Sequence, residues 1–151
     1  RVGNDLTEAN TALVPETLQG VEAGLAYEGP IAAFGATLFW NRIEDAIVAT
    51  TDPRQFRTSG ETAALHAVAD PARLLRYGGD CYCYTQLAMG FVDVVIENGL
   101  QPYDVQALIP IVEGAGGRIT NWNGGNCDQG GPVLATGDPA LHDRLLQRLR
   151  T

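Results

Sequence analysis

The chain has 151 residues, 45% of them hydrophobic, which supplies one domain's worth of core. It carries a net charge of −8, a pI near 4.5 and no lysine, and this excludes nucleic acid as a partner, because neutralising phosphates takes clustered cations. No apolar run approaches the roughly 20 residues of a membrane-spanning helix, no basic-then-apolar leader opens the sequence, and Cys81, Cys83 and Cys127 lack zinc-ligand spacing, so a cytoplasmic protein with reduced thiols and no membrane contact is expected.

Taken in chain order, Asn4 to Glu8 can start a short helix, with Asp5 or Thr7 as its cap and Pro15 near its end. Glycines at 20, 24, 29 and 35 among apolar residues suggest short strands and turns over residues 21–40. Ile43 to Thr51 reads as a helical turn running into a buried strand that Asp52-Pro53 stops. Ser59, Glu61 and Thr62 can begin a helix through Val68, and a short strand is expected at Leu74 to Tyr77. Gly78-Gly79 leads into a helix over Asp80 to Met89, ended by Gly90. Phe91 to Glu97 is a nearly continuous β-branched run, as in a strand covered on both faces.

Asn98-Gly99 then reads as a turn, and Pro102 suits the first position of a helix reaching about Ala115, with Val105, Leu108, Ile109 and Val112 at helical spacing. Pro110 should kink that helix. Gly114, Gly116 and Gly117 end it, Arg118 to Trp122 follows as a strand, and the Gly/Asn loop from Asn123 to Gly131 is long enough to be mobile. Pro132 to Thr136 forms a last strand before an amphipathic helix opened by Asp138 or Pro139, with Leu141, Leu145, Leu146 and Leu149 inward. Residues 1–40 form a divergent N-terminal segment and residues 41–151 an α/β domain, a layered sandwich with a mixed sheet.

Few residues carry chemistry. Asp104 falls in the first turn behind Pro102, where free backbone N–H groups and the helix dipole favour an ionised carboxylate. A carboxylate so placed either orients a magnesium ion or merely stabilises the helix. Glu97 ends the apolar strand seven residues earlier, at the end of the sheet where open α/β folds bind ligands, and is either a hydrogen-bond acceptor for a substrate or a solvated strand end. Gly78-Gly79-Asp80 opens a helix, and such N-termini attract phosphate. Asp93 reads as an ordinary turn or strand-edge residue, His66 and His142 as packing or surface histidines, and Trp40, Trp122, Tyr82 and Tyr84 as core.

Several separated motifs, in order, resemble the C-terminal half of the inositol monophosphatase family, in its histidinol-phosphatase-like branch. They are Asp45-Ala-Ile-Val-Ala-Thr-Thr-Asp-Pro, Tyr77-Gly-Gly-Asp-Cys-Tyr-Cys-Tyr, Val94-Val-Ile-Glu, Leu100-Gln-Pro-Tyr-Asp, Ala107 through Gly117, and Ile119-Thr, spanning about residues 43–151. Pro102-Tyr103-Asp104, where inositol-type members usually carry tryptophan before the aspartate, tilts the likeness toward histidinol phosphate.

The resemblance implies hydrolysis of a small phosphorylated metabolite by two or three Mg²⁺ ions that polarise the phosphate and generate a hydroxide nucleophile. It also implies that Asp104 is a metal ligand, that Glu97 contacts the organic part of the substrate, and that Gly79 and Asp80 line the substrate pocket. The family's Glu-Glu pair and its Asp-Pro-x-Asp-Gly-Thr/Ser motif do not occur in this sequence, so the resemblance is to a truncated form without a complete site. A non-catalytic scaffold or interaction module, and a domain that holds phosphate without cleaving it, are the alternatives. A homodimer is expected, because half of a layered fold leaves a sheet edge or apolar face bare.

Overall fold

The structure, a computed structural model, describes residues 17–28, 33–44 and 46–150. The helix expected near Asn4 lies outside the described residues. Two compact units are formed, Arg1–Glu44 and Asp45–Thr151.

The first unit contains β1 (Thr17–Glu28) and β2 (Ala33–Glu44), paired antiparallel from Thr17 opposite Glu44 to Glu28 opposite Ala33. These 12-residue strands are longer than the glycines at 20, 24 and 35 suggested. The helical turn expected at Ile43 is absent, because Ile43 and Glu44 complete β2.

The second unit is a three-layer α/β sandwich. Its strands are β3 (Ile47–Thr50), β4 (Leu74–Tyr77), β5 (Val94–Leu100), β6 (Arg118–Asn121) and β7 (Gly131–Thr136), in the order β4-β3-β5-β7-β6. The β4, β3 and β5 strands run parallel, while β7 is antiparallel to both β5 and β6, which makes the sheet mixed. Alternation along β5 loads both faces. Val94 and Ile96 pack with Leu65 and Val68 of α1 (Ser59–Ala69) and Leu145 and Leu146 of α5 (Pro139–Leu149). Val95 faces the other layer, with Tyr84 and Leu87 of α2 (Cys81–Ala88), Val105 of α3 (Pro102–Val105), and Leu108 and Val112 of α4 (Leu108–Gly114). Each such fully buried aliphatic side chain contributes about 1.5–3 kcal/mol.

Two local features depart from the sequence expectation near the end of β5. Asn98-Gly99 is not a turn: both lie within β5, in an irregularity where the register to β7 shifts between Glu97 and Leu100, and Gly99 takes φ 73°. The helix after Pro102 is two helices, α3 and α4, separated at Gln106 and Ala107. Pro110 explains the break. Inside one continuous helix its ring would meet the carbonyl four residues back; restarting at Leu108 puts it in a first turn, where no amide donor is needed. The loop after β6 is held by its own hydrogen bonds: Asn121 Oδ1 accepts from the amides of Asn123 and Gly125, and Arg150 Nη2 donates to the Asn123 carbonyl.

The three cysteines are free thiols, Cys81 exposed and Cys83 and Cys127 buried. Tyr84 is core as expected, but Tyr82 is 64% exposed. Asp93 ties the strands together, accepting a hydrogen bond from the Ile47 amide at 2.7 Å. His66 pairs with Asp70 on the surface at 3.0 Å. No described helix is long and apolar enough to cross a membrane.

Candidate functional site

The parallel strands β3 and β5 end beside the N-termini of α2 and α3, and a cleft of about 350 Å³ opens there. Such crevices at strand carboxyl ends are where open α/β sheets hold ligands. The cleft is lined by Asp80, Glu97 and Asp104 together with Thr51, Tyr84 and Tyr103. Gly79 lies on the other side of the same loop and lines a neighbouring cleft of about 340 Å³. Its φ is 103°, and a β-carbon there would come within 2.6 Å of Cys83 Sγ, so only glycine lets the loop lie this close to α2.

Glu97 is 1% exposed, so it is not a solvated strand end. Its Oε1 accepts from the Thr51 amide at 2.8 Å and from Thr51 Oγ1 at 2.7 Å, and its Oε2 accepts from Thr50 Oγ1 at 3.4 Å. With the Gln55 amide turned to satisfy both of its ends, Gln55 Nε2 also donates to Oε2 at 2.9 Å. Four donors fill the roughly four acceptor positions of a carboxylate. Burial pushes the Glu97 carboxyl above its ordinary range, while the Thr51 and Thr50 hydrogen bonds oppose that rise. A ligand reaching Glu97 therefore has to displace one of these donors, and the 3.4 Å contact from Thr50 is the longest.

Asp104 is exposed and sits in the first turn of α3, where its Oδ2 accepts from the Gln101 amide at 2.8 Å. That bond orients the carboxylate and leaves its other oxygen without a described partner. Gly130 supports this approach from below. It lies against the backbone of Leu100 and Gln101 so closely that a β-carbon could not fit, and its φ is 78°. Asp80 caps α2 with φ 43° and ψ −130°, the one non-glycine residue at positive φ among those described. A non-glycine residue held there stores about 1–3 kcal/mol of strain, a feature that clusters at functional sites.

Sequence reasoning missed Thr51, Gln55 and Tyr84 as parts of the site. Tyr84 lies one turn into the helix that Asp80 opens, among alternating Cys and Tyr that do not single it out. Nothing local marks Thr51, which meets Glu97 across 46 residues of sequence.

The residues fit a magnesium ion only in part. Asp104 is a hard, oriented oxygen ligand, but magnesium is bound by several carboxylates or phosphates acting together. Among the described residues no group of three His, Cys, Asp or Glu side chains could hold a metal. Among the described residues, Asp104 is one oriented oxygen ligand and a complete set for the ion is not present.

The sequence profile of the inositol monophosphatase family matches residues 24–151. The chain belongs to the inositol monophosphatase family. The match begins upstream of residue 43 and takes in part of β1 and all of β2. Among its relatives, the chloroplastic bifunctional phosphatase IMPL2 of Arabidopsis thaliana is 41% identical over 117 residues, 72% of this chain and 34% of that protein. The histidinol-phosphatase of Mycobacterium tuberculosis is 37% identical over 82 residues, 54% of this chain and 31% of that one. The structure of an inositol monophosphatase from Zymomonas mobilis superposes with a TM-score of 0.66 at 35% identity, covering 76% of this chain and 49% of that protein. The chain thus spans about a third of the length of these curated relatives and about half of that solved structure.

Proposed function

We propose that the family member carrying this chain is a Mg²⁺-dependent phosphomonoesterase whose substrate bears a cationic organic group, with histidinol phosphate as the ester that fits. One observation carries this. The cleft gathers three carboxylates, Asp80, Glu97 and Asp104, and among the described residues lining it there is no Arg, Lys or His. A bare phosphate dianion is repelled by such a lining. An ammonium or imidazolium group is drawn to it, since opposite charges at about 4 Å gain several kcal/mol at the dielectric of a protein surface. A neutral polyol such as inositol can donate hydrogen bonds to these carboxylates but gains no charge–charge attraction. The relatives named as histidinol-phosphatases support the same choice.

In this reading Asp104 is a metal ligand, and the bound ion supplies Lewis-acid polarisation of the phosphate and a hydroxide nucleophile. Asp80 faces the cationic group, and the Gly79 turn sets the path of the loop that carries Asp80. Glu97 fixes the floor of the organic pocket. The remaining metal-holding carboxylates have to come from outside the described residues, so the described unit on its own binds and positions the ester rather than turning it over. A non-catalytic binding module is the reading favoured if those carboxylates are nowhere in the protein. A homodimer paired through β4, the outermost strand of the described sheet, beside the exposed Leu74, Tyr77 and Phe91, belongs to the same proposal.

The test is a calorimetric titration of the chain with L-histidinol and with myo-inositol, in Mg²⁺ and phosphate. Histidinol should bind at least tenfold more tightly, and its advantage should shrink as salt is raised from 50 mM to 500 mM. Equal affinities, or a preference for inositol, would overturn the assignment of a cationic substrate.

A further inference from the structure

We infer that Tyr103 is a specificity-determining residue of this cleft, the exposed face of its ring stacking on an aromatic ring in the substrate's organic group. The inference rests on the cationic-substrate reading above and goes beyond it: that reading asks for positive charge, and this one asks for a flat ring as well.

Three observations carry it. Tyr103 lines the cleft that Asp80, Glu97 and Asp104 share. It is 80% exposed, the most exposed of the large hydrophobic side chains described. Among the described residues its ring has no stacking partner and its hydroxyl no hydrogen bond. No other residue of the cleft offers such a face, since Tyr84 is buried among core side chains and Leu100 and Leu108 are aliphatic.

A single exposed aromatic elsewhere on a surface needs no explanation. This one is set apart by its place and by how its backbone is held. Pro102 starts α3, the Asp104 amide donates to the Gln101 carbonyl at 2.9 Å, and the Asp104 carboxylate accepts from the Gln101 amide at 2.8 Å. Fully buried Val105 anchors the same turn. The ring is thus free of partners on a backbone that is fixed, next in sequence to the carboxylate read above as a metal ligand.

The chemistry of the ring says what it takes. An aromatic face carries negative charge density, packs against another ring and attracts a cation. An imidazole supplies a flat ring at every pH and a positive charge once protonated. A tyrosine has two side-chain torsions to fix, so stacking it costs little conformational entropy. The carboxylates of the cleft attract any ester with an ammonium group, and the ring separates those that carry an aromatic group from those that do not.

The test uses calorimetric affinities of the full chain, in Mg²⁺ and phosphate, for L-histidinol, for myo-inositol and for L-alaninol, which keeps the amino alcohol and lacks the imidazole. Wild type is compared with Tyr103→Phe and Tyr103→Leu. Wild type should bind histidinol about tenfold more tightly than alaninol. Tyr103→Phe should keep that preference, and Tyr103→Leu should reduce it to about twofold with alaninol affinity unchanged. A preference in Tyr103→Leu equal to that of wild type overturns the role of Tyr103 and leaves the cationic-substrate reading standing, since both amines carry the charge. An equal loss for both amines in Tyr103→Leu shows that the substitution disturbs the cleft as a whole, and overturns a contact specific to the aromatic group. A loss in Tyr103→Phe as large as in Tyr103→Leu shows that the hydroxyl makes the contact, and overturns the stack. If neither amine binds wild type more tightly than inositol does, the cationic reading fails first and the inference falls with it.

Discussion

His142 lies on the buried face of α5, fully enclosed, with Nε2 2.9 Å from Thr120 Oγ1 and Nδ1 3.1 Å from Thr136 Oγ1. Each threonine hydroxyl also reaches a carbonyl, Thr136 Oγ1 that of Asp138 at 3.0 Å and Thr120 Oγ1 that of Asn121 at 2.8 Å, so a neutral ring donates its one N–H to either threonine and accepts from the other. Burial, with the charge of Arg118 as the second cause, lowers the pKa of this imidazole from 6.5 to about 4. The unfolded chain therefore binds a proton at higher pH than the folded one, and stability falls as pH drops from 6.5 toward 4. From 6.5 down to about 4, at about 1.36 kcal/mol per pH unit, the full effect is about 3 kcal/mol. About 2 kcal/mol of that is lost between pH 7 and pH 5, where the folded imidazole is still neutral and the unfolded one is charged. With a urea m-value of about 2 kcal/mol/M, the midpoint should fall by about 1 M over that interval. Glu97 and Asp93 contribute in the opposite sense, because burial raises both, so the measurement is a difference. His142→Leu has similar volume and leaves both threonines bonded, Thr120 to the Asn121 carbonyl and Thr136 to that of Asp138. The urea midpoint of wild type should fall by about 1 M relative to that of His142→Leu on acidification from pH 7 to pH 5. Parallel curves between pH 7 and pH 5 would refute the claim that this imidazole is kept neutral by burial.

Asp80→Gly removes a side chain from a backbone position that favours glycine, so it should raise stability by about 1 kcal/mol, after allowing for the greater freedom of glycine in the unfolded chain. The same change should weaken histidinol binding; a loss of stability would show that the Asp80 backbone is not strained. The homodimer is tested by the solution mass from gel filtration with light scattering, where a monomer at 100 µM would remove it and a dimer split by Tyr77→Lys would place it at the β4 edge.

Much of the second unit could be read locally. The β-branched run at Val94 to Ile96 announced a doubly covered strand, and the leucines of α5 announced its inward face, because both signals are periodicities within a few residues. That same stripe contained the answer for His142, which stands three, four and seven residues before Leu145, Leu146 and Leu149, on the face that packs inward. Asn98-Gly99 misled because a turn and a strand irregularity make the same demand, a residue that accepts positive φ. The paired partner, β7, lies more than thirty residues on and cannot be seen from the dipeptide. In α2, cysteine and tyrosine alternate over the first four residues, so composition gave no apolar face, and only packing separates buried Tyr84 from exposed Tyr82.

What gathers the cleft is likewise tertiary, and its electrostatic logic follows from how Glu97 is held. A buried carboxylate has to be compensated, and an arginine would do so while cancelling its field. Here the donors are a backbone amide, two threonine hydroxyls and a glutamine amide, all neutral. Neutral dipoles stabilise the charge without removing it, so the negative potential of Glu97 is still felt inside the cleft, where it adds to those of Asp80 and Asp104. The backbone bond from Gln101 to Asp104 works in the same way. In the proposed reading such a site takes two cations, a hard metal ion at the exposed, oriented carboxylate of Asp104 and an organic ammonium beside Asp80. An ester that carries its own ammonium beside a phosphate chelated by metal meets both demands at once, whereas an uncharged polyol phosphate meets only the first.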